Sequence, residues 1–258
     1  MLCLLNGNSV RATGRIAGVH PDTVARILVR CSAAAVAGTD HLLRDLPCGR
    51  MEVDEIWGYV GKKPYNMVVG DGSRRCGEFW TCVAIDPESK VIPAWQTSKR
   101  NMTSTRRFME GLAARMRNRI QLSTDGLTQY DTTVRHAFGG EVDYGQVTKI
   151  YGGIPTKGKR TMKVVKEIHT AAVAGRPVAV HIRTACVERQ NLTLRMCVRR
   201  LTRSTNAYSK RVERLRAALG LHFAHFNFCR VHETLGTTPA VALGIAERPW
   251  SLGELEAA

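Results

Sequence analysis

The sequence predicts an α/β fold: a mixed sheet with flanking helices, preceded by a small all-α helix-turn-helix module. Three observations carry this expectation. Short runs rich in Val, Ile and aromatics, bounded by turn residues, cluster just after residue 50; amphipathic stretches alternate with another such run as far as residue 138; and helical spacing around two glycines marks the stretch before residue 32.

Residues 8–31 read as two short helices around a tight turn. Gly14 is small where the helices would cross, Gly18 suits the turn, and Ala17, Val19, Val24 and Ile27 form the expected apolar seam. Pro21 fits the first turn of the second helix, whose outer face would present Asp22, Thr23, Arg26 and Arg30 to a major groove. An ordinary helical hairpin is the plainer alternative. Residues 32–50 read as a connector, helical at first and closed by Pro47-Cys48-Gly49, which sets a boundary near residue 50. The expected organisation is therefore 1–50 as module and connector, 51–245 as the α/β domain and 246–258 as a tail.

Within that domain residues 51–57, 79–85 and 90–95 are expected as antiparallel strands, with Pro87-Glu88-Ser89 at a turn. Residues 103–118 place Phe108, Leu112 and Met116 at helical steps behind a Thr103 or Ser104 cap. A strand at 119–124 ends on Asp125-Gly126, and 128–138 reads as a further helix. Strand, helix, strand implies a crossover, so the run ending at Asp125 should lie parallel to the first strand. Residues 146–185 carry Lys149, Lys157, Lys159, Arg160, Lys163, Lys166, Arg176 and Arg183 against the single acid Glu167, and are expected as an inserted basic loop region. The segment from Gly153 to Arg160 approaches a phosphate-binding loop, but Arg160 stands where Ser or Thr should be and Pro155 disfavours the geometry, so no nucleotide site is expected. Residues 187–206 and 208–230 read as helices, the first with a Leu194, Val198 and Leu201 seam and Arg195, Arg199, Arg200 and Arg203 around it. Regularity fades after Thr238-Pro239.

Composition narrows the function classes. A chain of 258 residues buries a sizeable core in one domain and leaves room for an appendage. Apolar content of 44% and charged content of 23% are ordinary, and no stretch approaches the roughly 18 uninterrupted apolar residues of a membrane span. Lys and Arg number 38 against 22 acids, a net charge of +16, and a field of that sign attracts polyanions. Nucleic acid is the expected partner, a basic solubility surface the alternative. Eight cysteines form no C-x-x-C pair and sit beside no spaced histidine pair, so no zinc is expected. The apolar run from Met1 to Leu5 is too short for a secretory signal, and reduced cysteines in a cytoplasmic protein follow.

Three acids invite chemistry: Asp54 within Val53-Asp54-Glu55, Asp125 within Thr124-Asp125-Gly126, and Glu188 within the run from Val187 to Asn191. Carboxylates at the edges of apolar segments are what a pair of divalent metals needs for phosphodiester chemistry, and residues this far apart meet only through tertiary folding. On a helix starting near Val187, Glu188, Asn191, Arg195 and Arg199 share one side, which would set Arg195 as a phosphate clamp beside the acid. Plainer readings stand beside each: a turn-forming Asp, a Glu favoured by a helix dipole, a surface strand residue. Glu52, Glu55 and Asp86 are rivals for the strand positions, and Glu233 for the third acid. Acids on two neighbouring strands and one covering helix are what the nuclease fold shared by ribonuclease H and retroviral integrases provides.

The phrases VDEIW at 53–57, FWTCVAID at 79–86, NRIQLSTDG at 118–126, VERQNLTLR at 187–195 and NFCRVH at 227–232 resemble the DDE transposases of the insertion-sequence-one family, in the family's order over residues 8–245. The resemblance implies a ribonuclease-H-like domain and makes Asp54, Asp125 and Glu188 a metal-binding catalytic triad for two Mg2+ or Mn2+ ions, with Arg195 as the basic residue seven positions on. It implies 3′-end cleavage and strand transfer on double-stranded DNA, at element ends and target, by a homo-oligomer in the cytoplasm at the nucleoid, without a membrane. Thr23, Arg26, Arg30, Lys157, Lys159, Arg160, Arg195 and Arg199 are the expected DNA contacts. A stand-alone nuclease and an inactive DNA-binding regulator of the same descent are the alternatives. Members of the family commonly carry a cysteine-rich zinc module ahead of the helix-turn-helix, whereas Met1 here almost begins the latter, which suggests a truncated or separately encoded form. The long basic insertion resembles the longer branch of the family.

Overall fold

The central strand of this molecule alternates its side chains between two different environments, and the fold follows from that alternation. The structure is a computed structural model that describes residues 1–72, 75–155 and 161–257. In chain order it has α1 (Leu2–Leu5), α2 (Val10–Ala17), α3 (Pro21–Asp40), β1 (Arg50–Val60), β2 (Gly77–Ile85), β3 (Ala94–Ser98), α4 (Met102–Ala113), β4 (Ile120–Asp125), α5 (Thr128–Phe138), β5 (Val142–Pro155), β6 (Thr161–Ala174), α6 (Ala185–Cys197), α7 (Val212–Phe228), α8 (Pro239–Ala242) and α9 (Leu252–Ala257). The six strands form one mixed sheet in the order β3-β2-β1-β4-β5-β6. β1 runs antiparallel to β2 and parallel to β4, which is parallel to β5, while β3 and β6 pair antiparallel at the two edges.

Met51 and Val53 of β1 join Leu122 of β4 in a core with Phe108 and Leu112 of α4 and Tyr130 and Val134 of α5. Ile56 and Val60 belong instead to a second core with Val187 and Leu194 of α6 and Leu219 and Phe223 of α7. Period-2 alternation thus gives β1 one face toward α4 and α5 and another toward α6 and α7. A third cluster joins Leu28 and Ala35 of α3 to Leu221 of α7 and Leu255 of α9.

Several boundaries differ from the sequence expectation, each for a physical reason. α3 is a single helix of 20 residues, so the helical part of the connector belongs to it. Gly14 and Gly18 serve as expected: a Cβ on Gly14 would lie 2.7 Å from the Val19 carbonyl oxygen, and Gly18 closes α2 at φ 65°. The proposed seam does not hold, since Ala17 and Val19 are exposed and Thr13 and Gly14 are buried with Val24. α4 starts at Met102 because the Asn101 side chain caps it, and stops at Ala113 because the chain then pairs backbone groups with Leu46. The third strand begins at Ala94: the Asn227 side chain of α7 takes both the N–H and C=O of Ile92, at 3.0 and 2.9 Å.

The largest difference lies at 146–185. Where an irregular basic loop was expected, β5 and β6 form a long hairpin, and the first part of β5 is an integral strand parallel to β4, with Ile120 opposite Val142 through Asp125 opposite Val147. The segment after Thr238 is also more ordered than expected: α9 buries Leu255 against the α3 and α7 cluster, and the Trp250 ring lies 4.7 Å from that of Phe228. Among the described residues no helix is long and apolar enough to cross a membrane.

Candidate functional site

β1 and β4 are parallel, with Val53 opposite Thr124, so the next residues in each strand, Asp54 and Asp125, come out side by side at the carboxyl end of the pair. Both belong to the face turned toward α6. The Nδ2 of Asn191, a buried residue of α6, donates to Asp54 Oδ2 at 2.9 Å. Glu188 lies one turn earlier on the same side of α6, as helical spacing requires. Its Oε1 accepts from the Thr184 hydroxyl at 2.6 Å and forms an ion pair with the ammonium of Lys149 on β5. Asp125 accepts from the Leu127 amide at 3.2 Å, an Asx contact that opens the turn into α5.

The three acids share one electrostatic neighbourhood. Burial first, then the charges of Asp125 and Glu188, pushes the Asp54 carboxyl up to about 6, against the hydrogen bonds that favour its ionised form. Burial also raises the Asp125 carboxyl, and Glu188 adds to the rise while Arg100 opposes it. Among the described residues neither Asp54 nor Asp125 has an ion-pair partner. Nor do any three His, Cys, Asp or Glu side chains there stand in an arrangement ready to hold one ion. The donor chemistry nevertheless fits a hard divalent cation: two neighbouring carboxylates without an ion-pair partner, a third facing them, and the buried Asn191 Oδ1 with no hydrogen-bond partner. What is not closed around an ion is Glu188, whose Oε1 is engaged by Lys149 and Thr184.

The rival acids have other work. Glu52, 2% exposed, accepts from the backbone N–H of Cys186 at 2.7 Å and Val187 at 3.1 Å, which pins the amino end of α6 to β1. Glu55 points to the opposite face of β1, where Arg100 Nε lies 2.7 Å from its Oε2 and the Tyr130 hydroxyl donates to Oε1 at 3.3 Å. The Arg100 guanidinium in turn sits 4.4 Å from the Trp80 ring. Asp86 accepts from the amides of Glu88 and Ser89 and from the Ser89 hydroxyl, an arrangement that builds the turn after β2. Glu233 is exposed in the turn after α7.

The expected basic contacts fare unevenly. On α3, Arg26 and Arg30 are exposed and Thr23 is half-buried beside Arg26. Arg195 does not extend freely from α6: its Nη1 donates to the Leu201 carbonyl at 3.0 Å, and burial lowers its basicity. Arg199 leaves the face shared with Glu188, because α6 ends at Cys197, Val198 is extended, and a short 3-10 turn carries Leu201 down onto Gly58 of β1. Lys157, Lys159 and Arg160 lie outside the described residues, as does most of the near phosphate-binding loop.

Sequence reasoning placed Asn191 on the Glu188 side of the helix but missed Thr184, and it counted Lys149 only as one charge in a basic run. Thr184 was within reach of inspection, four residues before Glu188; the Lys149 and Glu52 contacts depend on strand register and carry no local signal. No protein-family model and no curated protein matches the chain.

Proposed function

We propose that the chain is a metal-dependent DNA transposase of the DDE type on a ribonuclease-H-like domain, with Asp54, Asp125 and Glu188 as its catalytic and metal-binding acids. The observation that carries this reading is the pair of aspartates on neighbouring parallel strands, neither in an ion pair among the described residues, facing a glutamate on the covering helix. The order β3-β2-β1-β4-β5 is compatible with that fold, and the net charge of +16 supports a polyanionic substrate. Mg2+ or Mn2+ at these acids, when bound, supplies charge stabilisation at the attacking and leaving oxygens of a phosphodiester. The chain's own part is positional: Asp54 and Asp125 are fixed by strand register, Asn191 orients Asp54, and Glu52 holds the amino end of α6 and with it Glu188. Arg26 and Arg30 on α3 are proposed to engage double-stranded DNA.

Asp125→Asn and Glu188→Gln are expected to abolish both end cleavage and strand transfer of a labelled DNA end while DNA retention on a column persists. Full cleavage by either variant rejects the assignment. The ion pair that engages Glu188 favours a second reading, an inactive DNA-binding regulator; DNA binding indifferent to Mg2+ with no cleavage of any duplex selects it. Joining of a precut end separates a transposase from a stand-alone nuclease.

A further inference from the structure

We infer that Lys149 is a built-in occupant of the cation site: in the resting protein its ammonium holds Glu188, and a divalent ion enters only as that ammonium is given another anion to pair with, a DNA phosphate. The inference rests on the reading of Asp54, Asp125 and Glu188 as metal ligands and adds to it a residue that sets when the ion binds.

Register brings Lys149 there. Val147 of β5 lies opposite Asp125 of β4, and two residues further along β5, on the same face by strand alternation, comes Lys149. Its side chain is 21% exposed and that of Glu188 39%, so the pair is partly shielded from water. The same Glu188 oxygen also takes the Thr184 hydroxyl, so both neighbours pull on one atom. Meanwhile the two aspartates form no ion pair among the described residues, and the carboxylate that would complete a set of ligands is the one already paired.

Charge balance makes the pair a gate rather than a fixture. An ion pair partly removed from water is costly to open if one partner is left alone. A dication approaching Glu188 replaces the ammonium as its counter-charge, but leaves the ammonium facing that dication across a short distance, which is unfavourable. A phosphate entering the site removes this penalty by accepting from Lys149 Nζ. Metal and DNA therefore assist each other through one side chain, and thermodynamic linkage makes the assistance reciprocal.

The test is calorimetric titration of Mn2+ into wild type, Lys149→Met and Lys149→Arg, each without DNA and with a short duplex whose integrity after the titration is checked on a gel. Without DNA, Lys149→Met is expected to bind Mn2+ about tenfold more tightly than wild type. Lys149→Arg, which keeps the charge, should stay within about twofold. Added duplex should tighten Mn2+ binding to wild type and leave Lys149→Met nearly unchanged. Because removing any nearby positive charge attracts a dication, Arg183→Met serves as control: its guanidinium lies 3.7 Å from Glu52 Oε1 and does not touch Glu188. Equal tightening by Arg183→Met overturns the inference, as does unchanged or weaker binding by Lys149→Met. If Asp54→Asn still removes Mn2+ binding in that event, the metal reading stands and only the role of Lys149 falls. If neither wild type nor Lys149→Met binds Mn2+, both fall.

Discussion

Asp54 and Glu55 are consecutive residues of β1, yet one faces α6 and the other α5, and the protein treats their charges in opposite ways. Glu55 is given a guanidinium, a phenol and a near-complete enclosure; its side chain is 3% exposed. Asp54 is given an amide donor and two like charges, Asp125 and Glu188. Burial pushes both carboxyls upward, but only at Glu55 does a cation push back. A buried acid with its own counter-charge is part of the scaffold; one left to repel its neighbours is waiting for charge from outside.

Three experiments break or sharpen this contrast. The largest effect is expected on chemistry. On the proposed function, Asp54→Asn should reduce cleavage of an element end by about a thousandfold or more, whereas Glu55→Gln should stay within about tenfold of wild type. Equal losses in a gel assay of nicked product would erase the distinction.

A smaller effect is expected on stability, and with opposite signs. Glu55→Ala strands the Tyr130 hydroxyl and the Arg100 guanidinium and should cost about 2 kcal/mol in urea denaturation. Asp54→Asn should stabilise at pH 7. Burial pushes the folded carboxyl up to about 6 from an ordinary 3.8, so the folded state holds its proton more tightly and wild type loses stability as pH rises through that window. The gain from Asn is therefore present at pH 7, about 1–2 kcal/mol once partial exposure is allowed for, and vanishes by about pH 3, below both values. A gain that persists undiminished at about pH 3 would point to packing instead.

The smallest effect extends the contrast to arginines. Arg195, tied to the Leu201 carbonyl, is a structural charge; Arg26 is exposed on α3. Arg26→Gln should weaken duplex binding several-fold and lower the salt slope of affinity by about one, while Arg195→Gln should lower the melting temperature and leave the slope alone. A salt slope altered by Arg195→Gln would return that residue to the DNA surface.

Much of the framework was legible in the sequence because it rests on local signals. The parallel placement of Asp54 beside Asp125 followed from strand, helix, strand, and residues 128–138 form the expected helix. Asn191 was placed beside Glu188 by helical spacing alone, and the fold delivers it to Asp54. What the sequence hid depends on partners far along the chain. Glu52 looked like a rival acid because the amides it caps lie at Cys186 and Val187. The hairpin of β5 and β6 read as loop because glycines and lysines mask its alternation, and its strand character comes from pairing with β4. The end of α6 was misplaced because Leu201 has a better site over Gly58 than a longer helix offers it.

α3 has a mechanical consequence. Its 20 residues make a rod about 30 Å long, with exposed Arg26 and Arg30 in its first half and Ser32 and Val36, in its second half, seated against Gly220 of α7. A Cβ at Gly220 would come within 2.8 Å of both, so the two helices cross with no slack. Since α7 also fixes the backbone at Ile92, two residues before β3, through Asn227, α3 and the edge of the sheet are braced against the same helix.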